Sequence, residues 1–110
     1  MEEQKQMVVD ELTSLYQGNI DKFIKNADYA DYDLNDSVRY NVVRTTLAAF
    51  VSQITSNNGG FDHIEATFAE RTSDSTAFIY YDMYYKNGDV HSLSQKIMLH
   101  GNKWQLRVKE

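Results

Sequence analysis

Four aspartates, Asp28, Asp31, Asp33 and Asp36, fall within nine positions of the stretch ADYADYDLNDSVRY, residues 27–40. Carboxylates this dense can hold a hard cation, exchange a proton with a substrate, or start a helix. Asp31, Asp33 and Asn35 match the opening D-x-D-x-N of a calcium loop. The sixth position of such a loop needs glycine and is Asp36 here; the twelfth needs a bidentate glutamate and is Val42. The spacing therefore points to capping. Asn35 or Asp36, just ahead of SVRYNVV, can accept from the free N–H groups of a helix, and its neighbours suit the positive end of the helix dipole.

The tyrosines suggest a different chemistry. In FIYYDMYYKNGDVH, alternation along a strand sets Tyr80 and Tyr84 on one face and Tyr81 and Tyr85 on the other. With Tyr81 opposite Gln95 and Tyr85 opposite His91, polar tips would stand among apolar walls, the usual make-up of a small-molecule site. The same rings would also pack across strands, stabilising a sheet by roughly 0.2–1 kcal/mol per pair with no ligand at all. His63, His91 and His100 are too dispersed for a zinc motif, and without cysteine there is neither a thiolate ligand nor a disulfide. No metal or other cofactor is expected.

The elements that must position these residues follow from periodicity. Residues 3–17 put Val8, Leu12, Leu15 and Tyr16 on one helical stripe, and Gly18 stands where a helix ends. NIDKFIKNA reads as a short second helix with Ile20, Phe23, Ile24 and Ala27 inward. A third helix, about residues 36–56, carries Val43, Leu47, Phe50, Val51 and Ile54, and NNGG ends it. Beyond residue 60 the period becomes two. Ile64, Ala66 and Phe68 alternate with His63, Glu65 and Thr67, SDS makes a turn, and NGD closes a hairpin. A three-residue hairpin loop groups Ile79, Tyr81, Met83, Leu93, Ile97 and Leu99 on one face and leaves Asp82, Ser94 and Lys96 on the other. The last strand adds Trp104, Leu106 and Val108 inward, with Gln105 and Arg107 outward. Three helices followed by four strands give an α+β domain with an antiparallel sheet.

The bulk numbers narrow the partners. A chain of 110 residues suits a single domain, residues 1–110. Its net charge of −5, with scattered lysines and arginines, argues against nucleic acid and against an anionic membrane surface. No apolar run approaches the ~20 residues that cross a bilayer, and no signal peptide is visible. Zero proline removes the stiff linkers that separate domains.

The order of elements, YQGNIDKFIKNA after the first helix, and the closing HGNKWQLRV together resemble the nuclear transport factor two-like, or cystatin-like, superfamily. Within it the chain is most similar to small bacterial lipoprotein-type domains of unknown function. The resemblance implies a cone in which a strongly curved four-stranded antiparallel sheet wraps the N-terminal helices and leaves a mouth. It also implies an extracytoplasmic lipoprotein whose signal has been removed, with a cytoplasmic home left open. The superfamily hosts enzymes, transport factors and binding modules, so three readings stand. The first is a non-enzymatic module that takes a small-molecule or peptide ligand in a mouth lined by Tyr16, Tyr81, Tyr85, His91, Gln95 and Trp104. The second is an isomerase or dehydratase in which Tyr16 works with an acid, for which Asp82 is the sheet candidate although its face points outward. The third is a structural domain that forms a homodimer through the outer sheet face of Phe78, Tyr80, Tyr84 and Met98.

Overall fold

The computed structural model describes residues 1–29 and 33–108. Helix α1 spans Glu2–Tyr16, α2 Ile20–Asn26 and α3 Ser37–Ser56, followed by a single 3-10 turn at Asn57–Gly59. Strands β1 (Phe61–Arg71), β2 (Thr76–Tyr85), β3 (Val90–His100) and β4 (Lys103–Leu106) pair in sequence order, all antiparallel. The sheet curls into a half-barrel with the helices packed on it, as the order of elements requires.

Each helix end has a local cause. Gly18, at φ +95°, takes the left-handed conformation that ends α1, and its N–H donates to the Leu15 carbonyl. Asp36 caps α3. Its Oδ1 accepts from Val38 N at 2.9 Å and Arg39 N at 3.4 Å, while Asp33 Oδ1 accepts from Asn35 N at 3.0 Å. Asp33 and Asp36 thus start a helix, Asp28 turns instead to His100 and Arg107, and Asp31 lies outside the described residues. Asp36→Ala is expected to lower stability by about 1 kcal/mol in urea titrations, and Asp36→Asn by much less, because asparagine still caps.

The core is the concave side of the sheet plus one stripe of each helix. Val8, Leu12, Leu15, Phe23, Ile24, Val43 and Val51 close on Ile64, Ala77, Ile79, Met83, Ile97 and Leu106. Of α3 only Val43 and Val51 are buried; Phe50, placed inward by periodicity, is 45% exposed.

Two register findings correct the sequence reading. First, the hairpin has the three-residue loop, and the faces are as expected, but the pairs are shifted by two. Tyr81 stands opposite Leu93 and Met83 opposite His91, while Gln95 faces Ile79 and Tyr85 pairs with Asp89 at the turn. A shift of two preserves every face, so the hydrophobic pattern alone does not reveal it. Second, β1 carries irregularities between Phe61 and His63 and between Ala66 and Phe68. The second is a bulge at Thr67. It turns Phe68 outward, 55% exposed against Tyr80 with ring centroids 5.6 Å apart, and gives the inward place to Ala69.

The C-terminus is tied back to the helices. Asp28 N donates to the Leu106 carbonyl at 2.7 Å and Val108 N to the Asp28 carbonyl at 3.0 Å, a parallel bridge beside β4. The Asp28 carboxylate, only 13% exposed, accepts from His100 Nε2 at 2.8 Å and Arg107 Nη1 at 3.3 Å.

Candidate functional site

Between α1, α3 and the concave sheet face lies a cleft of about 360 Å³. Leu12, Leu15 and Phe23 make its floor with Leu47, Phe50 and Val108 around them, and Tyr16, Tyr81, Gln95, Thr46 and Arg107 supply its polar points. Larger depressions, of about 680 and 720 Å³, lie on open surface beside α2 and on the outer sheet face.

Its phenols are held by packing. The Tyr16 ring stacks on Phe61 at 5.4 Å and tilts against Phe50 at 6.4 Å, and Tyr16 and Tyr81 are both buried. Neither hydroxyl hydrogen-bonds to another described residue. Burial, reinforced by the neighbouring Tyr85, pushes the Tyr81 phenol up to about 12. Tyr16 is raised further, by burial first and then by Tyr81 and Tyr85. Both therefore keep their protons at any physiological pH and face the cleft as donors. Gln95 spends its amide hydrogens on the carbonyls of Lys96 (2.8 Å) and Arg107 (3.0 Å), so its oxygen remains as an acceptor.

Of the six residues expected at the mouth, the structure brings Tyr16, Tyr81 and Gln95 together in the cleft. Tyr85 is buried beside them and close enough to influence both phenols. His91 is exposed, its ring edge-on to Tyr85 at 4.8 Å. Trp104 is the clear departure. It pairs with Leu99, and Arg71 lies over its ring at 5.4 Å, near the opposite end of the sheet from the hairpin turn. Asp82 sits on the outer face, accepting from Ser92 Oγ at 2.6 Å and pairing with Glu65, so the enzyme reading loses its acid from the cleft. Thr46, Phe50 and Arg107 were not read as site residues. Phe50 was legible as an inward aromatic; the other two depend on where α3 and the C-terminal segment lie.

No protein-family model matches the sequence, and no curated protein matches it. One solved structure does match in shape. It is a crystal structure from Campylobacter jejuni, provisionally described as an NTF2-like transpeptidase, with a TM-score of 0.76 over 96% of this chain and 98% of that one. The fold is nuclear transport factor two-like. At 16% identity the likeness extends to the nuclear transport factor two-like architecture and no further. That architecture accounts for the cleft's position: a curled sheet leaves a hollow where its concave face outruns the helices, and Leu93, on that face, is 43% exposed.

Proposed function

We infer that the chain is a non-enzymatic binding module whose ligand, a small molecule or short peptide, occupies the cleft against Tyr16 and Tyr81. The observation that carries this reading is a pair of protonated phenols, among apolar walls, without hydrogen-bond partners among the described residues. Such a site suits a ligand with an apolar body and an oxygen acceptor. Among the described residues no carboxylate or imidazole lines the cleft, and the chain has no thiol. Acyl transfer, which the name of the Campylobacter jejuni protein suggests, needs a nucleophile beside a base, and among the described residues the cleft's one aliphatic alcohol is Thr46. The resemblance adds an extracytoplasmic setting, which fractionation of cells making the full-length protein tests.

The experiment is a thermal-shift screen against small amides, ketones and carboxylic acids. A compound at a hundredfold excess over its Kd stabilises the native state by about 2.7 kcal/mol. The exposed Thr46→Trp change, which fills the cleft, should abolish the shift while leaving the unliganded Tm within a few degrees, as surface changes cost about 0.5 kcal/mol or less. Hits that survive Thr46→Trp would end this reading. Self-association is a second reading, favoured by the bulge that lays Phe68 against Tyr80 on the outer face; a sedimentation velocity that is independent of concentration would dismiss it.

A further inference from the structure

The two edges of the sheet are built differently. β1 is broken by two irregularities and carries Asp62, Glu65, Glu70 and Arg71, devices that stop an edge from recruiting another strand. Among the described residues, β3 has no such protection over Val90–Gln95. β4 pairs with Ile97–His100, and Arg107 N to the Lys96 carbonyl at 2.9 Å is the last bond of this ladder among the described residues. The register with β2 is unbroken from Thr76↔Met98 to Tyr84↔Val90, and the run VHSLSQ contains no lysine, arginine, carboxylate or proline.

The direction of the free backbone groups follows from the bonds present. Tyr85 N donates to Asp89 O and Leu99 N to Ser75 O, so odd residues of this hairpin bond across to β2. Even residues face away, as the Lys96 carbonyl does toward Arg107. The N–H and C=O groups of Val90, Ser92 and Ser94 therefore point outward from the sheet, with no partner among the described residues, and Val90 to Ser94 are all exposed. A hollow flanks this edge on each face: the cleft, reached at Gln95, and the outer depression over Phe68, Tyr80 and Ser94.

We propose that residues 90–95 are a docking edge where an extended segment of another protein adds as a strand, with successive apolar side chains entering the hollow on one face and then the other. Main-chain pairing supplies the binding and the hollows the selectivity. A second copy of this chain fits less well: antiparallel pairing of two β3 edges would offer Ser92 and Ser94 toward the apolar shelf of Phe68 and Tyr80. The proposal rests on the cleft reading for its inward side chains alone.

The test is selection of octapeptides from a random phage-displayed library against the intact chain. Enriched peptides should carry apolar residues at neighbouring positions, one for the hollow on each face. Methylation of peptide nitrogens at every second position should abolish binding, and methylation at the intervening positions should not. Ser92→Pro removes an outward N–H that β2 does not use, and should weaken binding about tenfold. Ser94→Lys, which charges the edge without touching the backbone, should do the same if the proline variant misfolds. The proposal is overturned if no peptide is enriched, if affinity ignores both variants and the methylation pattern, or if the free chain dimerises through Ser92. The small-molecule screen with Thr46→Trp reads the cleft independently, so either conclusion can fail without the other.

Discussion

Ile79→Ala should cost about 3–4 kcal/mol of unfolding free energy. Ile79 has no exposed surface and lies on the second of four strands, paired with Ala69 on one side and Gln95 on the other. Neither partner can reach across to fill the space: one is a methyl group, and the other is anchored to two backbone carbonyls. The walls therefore relax little and the cavity persists, which is the costly case. Alanine also gives up the β-branched fit to a pleated surface. Urea titration with an unchanged slope measures the loss, and calorimetry should show a fall in Tm of roughly 15 °C. Phe68→Ala is the control. Its ring is larger, yet the bulge has put it outside, so the cost should stay below about 1 kcal/mol. Equal losses at the two positions would contradict the register described for β1.

Stability should hold level up to a pH of about 10 and then drop steeply. Tyr81 ionises near 10.0 in an unfolded chain and at about 12 in the folded one. Between those values the unfolded state binds fewer protons than the native state, so the unfolding free energy falls as pH rises. Two units correspond to roughly 3 kcal/mol from Tyr81, and Tyr16 is displaced in the same direction and further. Below the unfolded value both phenols are protonated in either state, and the contribution is constant. Urea midpoints across this alkaline range measure the drop, and Tyr81→Phe should flatten it. Phenolate absorbance should show buried tyrosines ionising only as the chain unfolds. Complete, reversible ionisation of all eight tyrosines in the folded chain near pH 10 would mean that the cleft phenols are solvated.

The contrast between these two experiments shows what periodicity can and cannot convey. The alternation of Ile79, Tyr81 and Met83 against Tyr80 and Asp82 specifies the buried face, because a slip of one residue would invert it. A slip of two inverts nothing, so Tyr81 was paired with Gln95 when its neighbour is Leu93. Phe68 continued an apolar alternation from Ile64 and Ala66, and nothing local distinguishes a strand that stays regular from one that bulges at Thr67. Trp104 was placed on the correct face of the last strand but at the wrong depth, since depth depends on its pairing with Leu99. Asp36 was legible because a cap acts within three residues; the contacts of Asp28 with His100 and Arg107 span most of the chain.

All four strands follow all three helices along the chain. During synthesis the greasy stripes of Val8, Leu12, Leu15, Phe23 and Ile24 leave the ribosome long before Ile79, Ile97 and Leu106, which must shelter them. Nor can Asp28 find its clasp until Leu106 and Val108 have been made. A nascent chain halted within β2 would be a set of sticky helices without a roof, and its safe passage falls to whatever holds unfinished polypeptides in the cell.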